Sequence, residues 1–351
     1  MNLKASQFQT THSGKKTDLF VLENSHGMQV AITNYGARIV SWSAVDRNGN
    51  FRDIALGFDS IKDYFAAHEQ YHGATIGRFC NRIKDGTLKL NGTTYQLETN
   101  SNANHLHGGT YGFHQAVWEA EQPNSQTLKL RYISVDGEAG YPGRLRAEVT
   151  YTLYNDNSLH IIYKASTDKE TIFNPTNHTF FNLSGTPDSA ISNHELFINA
   201  DAYTPVNKDL LPTGEIASVK NTPFNFLESK PINQQIAKQH PQLKLGQGFD
   251  HNFVLNKSEP NSLSLAATVV EPNSGRKLEI ETTQPGLQLY TGNNLDGSDI
   301  GKQGLPHAHR TGFCLEPQHF PDSPNQPHFP SVVLKPSSKY NAKTIYRISA
   351  N

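Results

Sequence analysis

The sequence predicts an all-β protein, a large antiparallel β-sandwich in which residues 1–351 form a single domain. Three observations lead to this fold class. Short apolar runs rich in β-branched and aromatic residues recur along the chain, clusters of Gly, Asn and Pro separate them, and strands do not alternate with long amphipathic helices. Strands at this spacing are typical of sandwiches, and no linker-like segment divides the chain, although its length would also allow two ordinary domains.

The first third of the chain consists mainly of predicted strands. Residues 19–22, 28–33 and 38–45 are apolar runs rich in strand-forming residues, and turn signals lie between them. Residues 60–67 are one of few helical candidates, with Asp59 as the predicted N-cap. This region therefore contributes strands joined by short connections.

The middle of the chain has the clearest strand pattern. Apolar and polar residues alternate strictly over residues 145–153, which indicates a strand with one buried face, and residues 159–165 follow after an Asn-Asp-Asn turn. Residues 208–244 are irregular and contain four prolines, and we interpret them as excursions from one sheet system. Further strands are predicted at residues 195–200, 263–270, 277–283, 287–291 and 343–349.

The composition narrows the range of partners. A formal net charge of −1, a pI of about 7.0 and only 18% charged residues give no electrostatic footprint for nucleic acid or an anionic membrane. No run approaches membrane-spanning length, and the first ten residues have no apolar segment typical of a signal peptide. Cys80 and Cys314 are too sparse for a disulfide framework, so we expect free thiols and a cytoplasmic location.

The segment 174–183 is the first candidate for chemistry. It is predicted to be a strand that leads into a turn, so that His178 and Phe180 share one face while Asn177 and Thr179 point the other way. Two interpretations remain open. His178 is either an acid beside an exposed aromatic ring on which a sugar stacks, or a half-buried histidine whose nitrogens are satisfied by the neighbouring Asn and Thr.

Two His-x-His pairs raise the question of metal binding. His105 with His107, and His307 with His309, have the spacing that places two imidazoles on one strand face. Neither pair has a third histidine or a carboxylate at ligand spacing, so no metal is predicted. The two glycines after His107 indicate a backbone that approaches a ligand or another strand closely.

Charged residues form two further candidate groups. Arg78 and Arg82 flank Asn81 and could hold hydroxyl groups or a carboxylate, or belong to an ordinary salt-bridged surface strand. Asp250 follows a glycine-rich turn. Glu316 ends an apolar strand just before a proline, where partial desolvation would raise its pKa towards that of a general base, unless it points into water.

Seven segments, in order along the chain, resemble the galactose mutarotase (aldose 1-epimerase) family. Each is weak alone, but together they spread from about residue 70 to past residue 320, so that the resemblance covers most of the chain. Two positions depart from the family pattern: Pro317 follows the glutamate where threonine is common, and His105 stands where serine is common. The matching segments are residues 77–83, 106–109, 136–143, 176–183, 248–252, 282–286 and 315–316.

The resemblance implies a single-domain sandwich of the large "supersandwich" kind that interconverts the α and β anomers of free aldohexoses such as galactose and glucose. By position, Glu316 would be the general base and His178 the general acid. Phe180 would line the cleft. The residues that would hold the sugar hydroxyls are Asn81, Arg82, His107, Asp250 and Gln284.

The chemistry explains why these residue types are needed. Opening a pyranose requires removal of a proton from the anomeric hydroxyl and addition of one to the ring oxygen, which a buried glutamate and a histidine with a pKa near 6.5 would accomplish. No cofactor is expected, and the partner is a small-molecule aldohexose, with the protein a monomer or homodimer. Three alternatives remain: a hexose-6-phosphate epimerase, a glycosidase that uses Asp250 and Glu316, and a non-catalytic sugar-binding module.

Overall fold

The computed structural model describes residues 3–351; Met1 and Asn2, the first two residues of the predicted domain, lie outside the described residues. Over this range 28 strands dominate, and the three α-helices are short. All strand pairs within the sheets are antiparallel. The prediction of an all-β antiparallel sandwich is confirmed.

The strands fall into three main sheets and several two-stranded ribbons. The helices are α1 (Ile61–Ala66), α2 (Ile232–Ile236) and α3 (Pro241–Gly246). In chain order the strands are β1 (Thr10–His12), β2 (Lys15–Thr17), β3 (Leu19–Glu23), β4 (Gln29–Thr33), β5 (Arg38–Val45), β6 (Phe51–Asp53), β7 (Thr75–Ile76), β8 (Arg82–Ile83), β9 (Thr87–Leu90), β10 (Thr93–Gln96), β11 (His105–Leu106), β12 (Glu119–Asn124), β13 (Thr127–Ser134), β14 (Leu145–Leu153), β15 (Ser158–Thr167), β16 (Thr171–Ile172), β17 (Thr176–Asn177), β18 (Glu195–Ile198), β19 (Ala202–Tyr203), β20 (Ala217–Ser218), β21 (Lys230–Pro231), β22 (Asp250–Val254), β23 (Ser264–Val270), β24 (Arg276–Thr282), β25 (Gly286–Tyr290), β26 (Cys314–Gln318), β27 (Val333–Leu334) and β28 (Tyr340–Ala350).

A nine-stranded sheet forms one layer of the sandwich. Its order is β12-β13-β14-β15-β28-β24-β23-β18-β21. Strand β14 has one buried face, as its alternating sequence predicts. Strand β15 follows the turn at residues 155–157 and pairs with β14. The second layer contains a four-stranded sheet, β3-β4-β5-β6, and a five-stranded sheet, β20-β19-β22-β25-β26.

The apolar core lies between these layers. Trp42 of β5 packs on Tyr346 of β28 with ring centroids 6.3 Å apart, and the Tyr346 hydroxyl donates to the Leu315 carbonyl of β26. One contiguous cluster joins side chains from all three main sheets. Burial of this apolar surface supplies the main stabilisation of the fold.

Three local expectations need correction. The N-cap of α1 is Ser60, whose side chain accepts from the Asp63 N–H, because Asp59 instead accepts a hydrogen bond from the backbone of Gln303. The segment 174–183 is a strand only over β17. Glu316 does not end its strand: β26 continues through Pro317, which is tolerated because β26 is the edge of its sheet.

The irregular stretch 208–244 is tied to both layers. β20 joins the five-stranded sheet and β21 joins the nine-stranded sheet, while α2 and α3 complete the segment. Its interpretation as an excursion from the sheets agrees with these pairings. Among residues 3–351, no helix has the length and apolar character needed to cross a membrane.

Candidate active site

One face of the five-stranded sheet is polar although it is buried. Directly opposed residues in an antiparallel pair share a face, and register places Asn252 opposite Gln288 and Gln288 opposite Glu316. The intervening residues, among them Leu289 and Leu315, point into the apolar core. This site face, as we call it, is therefore a row of polar side chains across β22, β25 and β26.

Loops from the first half of the chain cover the site face and bring His178 to Glu316. His178 follows β17, and its backbone is fixed by hydrogen bonds with Ala74 and Gly73. Its Nε2 lies 3.8 Å from Glu316 Oε1, and both side chains are almost completely buried, with 4% and 2% of their surfaces exposed. The structure thus brings the two predicted catalytic side chains together although they are 138 positions apart in the sequence.

Burial shifts the two titrating groups in opposite directions. It raises the pKa of Glu316 well above its ordinary range, and the negative charge of Asp250 adds to this rise. It lowers the pKa of His178 to about 4, so the expectation of a value near 6.5 is wrong for the free site. Each group is therefore driven towards its uncharged form, and a carboxylate with an imidazolium here is a strong base beside a strong acid.

Asn81 and His107 form a strained pair at the edge of this site. Both adopt positive φ, 63° and 52°, a region that non-glycine residues rarely occupy. The Asn81 N–H donates to His107 Nδ1 at 3.2 Å, and the His107 N–H donates to the Asn81 carbonyl. Because Nδ1 accepts, the neutral His107 ring carries its proton on Nε2. Burial lowers the pKa of His107 well below its ordinary value, so the ring is a neutral donor.

The glycines after His107 allow the close backbone approach that the sequence predicts. Gly108 has φ of +89°, and a Cβ at this position would lie 1.8 Å from the Gly77 carbonyl oxygen. The His107 loop therefore packs directly on the loop that carries Arg78 and Asn81. This contact sets the position of the His107 ring, whose centroid is 5.3 Å from that of His178.

A group of charged and polar side chains borders His178 and Glu316. Arg82 Nη1 lies 3.8 Å from Asp250 Oδ2, and the Gln288 amide donates to Asp250 Oδ1 at 2.6 Å. Arg82 and Asp250 keep 15% and 14% of their side chains exposed, more than His178 and Glu316. They are thus placed to meet a ligand that enters from solvent.

Unpaired polar atoms indicate what kind of ligand fits. Among the described residues, Glu316 Oε2 and Gln288 Oε1 are buried and have no hydrogen-bond partner. Buried polar groups in folded proteins are nearly always paired, with protein, water or ligand. The site face therefore suits a ligand rich in hydroxyl donors.

Phe180 shares a side with His178, as predicted, but not as an exposed platform. Its ring is completely buried and lies 5.1 Å from the His178 ring, centroid to centroid. It packs with Leu56, Tyr290 and Cys314 in a small apolar cluster. Phe180 therefore packs against the imidazole of His178 as part of this cluster. Tyr71, with its centroid 5.7 Å from His178, is the half-buried aromatic ring beside the histidines.

Gln284 is the one predicted substrate-binding residue that the structure places elsewhere. It lies in the turn after β24, and its amide donates to the Tyr340 hydroxyl at 2.7 Å. Gln288, which the sequence reasoning missed, occupies the site face between Asn252 and Glu316. A single polar residue between two leucines, Leu287 and Leu289, was the available signal for it.

Several other singled-out residues have structural partners. Arg78 is buried, and its guanidinium donates to Ser134 and to the carbonyls of Pro142 and Val135, so it is neither a surface residue nor free for a ligand. His105 binds the Glu98 carbonyl and the Tyr141 hydroxyl. His307 is buried and His309 exposed, so that pair does not share a site. Over residues 3–351 no group of three His, Cys, Asp or Glu side chains could hold a metal ion.

Comparisons with known proteins give matches over nearly the whole chain. The family model described as aldose 1-epimerase matches residues 18–347. A galactose mutarotase from Sus scrofa is 41% identical over 99% of both chains, and one from Homo sapiens is 42% identical over 92% of this chain and 91% of its own. The crystal structure of an aldose epimerase homologue from C. elegans superposes with a TM-score of 0.88 at 29% identity, covering 95% of this chain and 99% of that one. The chain belongs to the aldose 1-epimerase family.

Proposed function

We propose that this protein interconverts the α and β anomers of free aldohexoses such as galactose and glucose, with Glu316 as general base and His178 as general acid. The observation that carries the proposal is the 3.8 Å separation of His178 Nε2 and Glu316 Oε1 inside a buried polar site. The anomeric oxygen and the ring oxygen of a pyranose are bonded to the same carbon, so a base and an acid must lie side by side to reach both. The names of the relatives, galactose mutarotase and aldose 1-epimerase, support this assignment.

The proposed reaction moves two protons and breaks one bond. The Glu316 carboxylate removes the proton from the anomeric hydroxyl, the C1–O5 bond breaks as the C1 carbonyl forms, and the His178 imidazolium protonates O5. Rotation about C1–C2 then presents the other face of the aldehyde. On closure, neutral His178 takes the proton back from O5 while protonated Glu316 returns one to the carbonyl oxygen.

The catalytic pair works with one shared proton. Opening uses the charged pair, and closure uses the neutral pair that burial favours. Each proton transfer is typically worth roughly 10²- to 10⁴-fold in rate.

The surrounding residues hold the sugar. Neutral His107 donates from Nε2 towards the oxygen on which charge develops, as Arg82 does with its guanidinium. Asn81, Asp250 and Gln288 are positioned to hydrogen-bond ring hydroxyls. Gln288 takes the place that the sequence prediction gave to Gln284.

A phosphorylated hexose is the less favoured substrate. A dianion would need several free cationic side chains, as in Arg clusters that bind phosphate. Arg78 is occupied by backbone carbonyls and Arg82 lies next to Asp250, which repels a phosphate. A pure sugar-binding module would not need an acid and a base in the same buried site.

Polarimetry tests the proposal directly. Freshly dissolved α-D-galactose or α-D-glucose should reach its equilibrium rotation far faster with the protein than without it, whereas glucose-6-phosphate should not. The His178→Asn variant should lose roughly 10²-fold or more of this rate. His160→Asn, a matched change on β15 where the side chain points away from the core, should keep it. No acceleration by the wild-type protein for any free aldose would refute the function.

A further inference from the structure

The site face continues past Glu316. Gln318 lies two residues further along β26, so its side chain projects from the same face as that of Glu316. The antiparallel register places Gln318 opposite Gly286, which brings no side chain to this face. Gln318 is completely buried, and among the described residues its amide Nε2 has no hydrogen-bond partner. The polar side of the sheet is therefore one residue pair longer than the proposed acid and base require.

Gly286 makes room for a second amide at this end of the site face. A Cβ at Gly286 would lie 2.4 Å from Asn252 Oδ1, so the Asn252 side chain extends over this glycine. The neighbouring Gln288 amide turns the other way, towards Asp250. Within residues 3–351, Oδ1 and Nδ2 of Asn252 are both buried without a hydrogen-bond partner.

The Gln318 amide is held at its oxygen. The Cys80 thiol donates to Gln318 Oε1 at 3.0 Å. Burial raises the pKa of Cys80 well above its ordinary value, and the charge of Glu316 adds to the rise, so the group stays a thiol that can donate. Because Oε1 is occupied, the NH₂ group of Gln318 is the end that remains for a ligand.

These unpartnered amide atoms suit a single hydroxyl group. Buried polar atoms are nearly always paired, because an unpaired one loses its hydration without compensation. A hydroxyl both accepts and donates, so one hydroxyl can accept from Gln318 Nε2 and donate to Asn252 Oδ1.

The position of His178 indicates which sugar hydroxyl this is. Its Nδ1 lies 3.5 Å from Cys314 Sγ and its Nε2 lies 3.8 Å from Glu316 Oε1, so the ring stands on the Cys314 side of Glu316. Gln318 is on the opposite side of Glu316 along the same strand. With O5 at His178 and the anomeric oxygen at Glu316, the side away from O5 is that of C2, the other ring neighbour of C1.

We infer that Gln318 and Asn252 bind the C2 hydroxyl of the sugar and make the protein selective for 2-hydroxy aldoses over their 2-deoxy analogues. The inference rests on the proposed function and deepens it. A hold on O2 also fixes the C2 end of the bond about which the open-chain sugar rotates, so that the aldehyde turns while the rest of the sugar stays in place.

The variant Gln318→Met tests this inference, because it removes the amide and keeps a side chain of similar length. Its kcat/KM for D-galactose should fall roughly 10-fold, the order expected for a buried hydroxyl that loses its partner, whereas kcat/KM for 2-deoxy-D-galactose should change less than about 2-fold. In the wild type, the 2-deoxy sugar should be the poorer substrate by a similar factor. Polarimetric rates above the uncatalysed background of each sugar measure these values.

Two controls separate a contact with O2 from a general disturbance of the site. The sugar 6-deoxy-D-galactose keeps O2, so Gln318→Met should lower its kcat/KM as much as that of galactose. Gln235→Met is a matched change at a buried glutamine of α2, whose Oε1 accepts from Lys238 Nζ at 2.7 Å, and should leave all three rates unchanged. If Gln318→Met does not fold, Asn252→Ala gives the same comparison, because it removes the other partner of the hydroxyl.

The inference is overturned if Gln318→Met lowers kcat/KM for galactose and for 2-deoxy-D-galactose by the same factor, or if the wild type uses both sugars equally well. In either case the wild type still accelerates the mutarotation of galactose, and the proposed function stands. A wild type that accelerates neither sugar refutes the proposed function and this inference with it.

Discussion

The two faces of the five-stranded sheet are both largely buried and are chemically opposite. On β25, Leu287 and Leu289 enter the apolar core, while Gln288 between them joins Glu316 and Asp250 in the site. Burial of the leucines stabilises the fold by removing apolar surface from water. Burial of Glu316 has a cost, because its charged form loses hydration, and that cost raises its pKa towards the range that the proposed role of general base requires.

Because of this difference, we expect the core face of the sheet to determine stability and the site face to determine the chemistry. A core-face substitution should lower the free energy of unfolding and leave the chemistry of the folded fraction intact. A site-face substitution should change the chemistry and leave the free energy of unfolding nearly unchanged, because the apolar core, and not the polar site face, supplies most of the stability. Natural active sites often show such a trade between stability and function.

Glu316→Gln should show the largest effect, and on activity alone. Removing the base should lower catalysed mutarotation of α-D-galactose by roughly 10²- to 10⁴-fold, while the melting temperature stays at or above the wild-type value because a desolvated acid is gone. Polarimetry and calorimetry measure the two quantities. Glu279→Gln on β24, next to the core residue Leu278 but pointing away from the core, is the control and should match wild type in rate.

A Glu316→Gln variant that retains the wild-type rate would remove Glu316 from the mechanism. A Glu316→Gln variant with a lowered melting temperature and an unchanged rate per folded molecule would contradict the distinction between the two faces.

Leu289→Ala should show the opposite pattern. Truncating this fully buried leucine should lower the free energy of unfolding by about 2–5 kcal/mol, through lost burial and a residual cavity. The rate per folded molecule should stay close to wild type. Urea denaturation followed by tryptophan fluorescence measures the first quantity and polarimetry the second. A loss of rate without loss of stability would show that the core face also controls the chemistry.

Gln288→Ala and Gln284→Ala form a matched pair that tests the strand register. Gln288→Ala removes the amide that donates to the Asp250 carboxylate and should raise KM for galactose roughly 10-fold, because a hydrogen bond to a charged group is worth about 1.5–3 kcal/mol. Gln284→Ala breaks only the contact with Tyr340 and should leave KM unchanged. The reverse result would restore Gln284 as the sugar contact.

The smallest expected effect is that of pH in the mildly acidic range. With the pKa of His178 lowered to about 4 and that of Glu316 raised, the free site holds a single shared proton between those two pKa values. On the acid side, kcat/KM should therefore fall only as His178 takes up the second proton of the site near pH 4. Activity should also fall at high pH, once the raised pKa of Glu316 is passed. An inflection near 6.5 would indicate an unperturbed imidazole instead.

Much of the fold and part of the site could be predicted from local pattern. Strict alternation over residues 145–153 identified β14, because one buried face leaves a period of two in the sequence. Apolar runs rich in strand-forming residues identified β5 and β15. β13 was missed although Leu128 and Leu130 carry the same signal. The resemblance of separate motifs brought His178 and Glu316 together before any geometry was known.

What the sequence could not supply depends on contacts between distant segments. The contact of Cys314 with His178 joins residues 136 positions apart, and nothing in either segment predicts it. The choice between Gln284 and Gln288 depends on where β25 begins, which sets the face of every following residue. The lowered pKa of His178 follows from its burial among side chains that are distant in the sequence, which no local pattern reports.

The central claim is that His178 and Glu316 act as one unit that shares a proton. A double-mutant cycle with His178→Asn, Glu316→Gln and the double variant tests it most directly, with polarimetric rates above the uncatalysed background as the measure. If the two residues act as a unit, the double variant should be no slower than the slower single variant. Rate losses that multiply in the double variant would show two independent contributions and contradict the account.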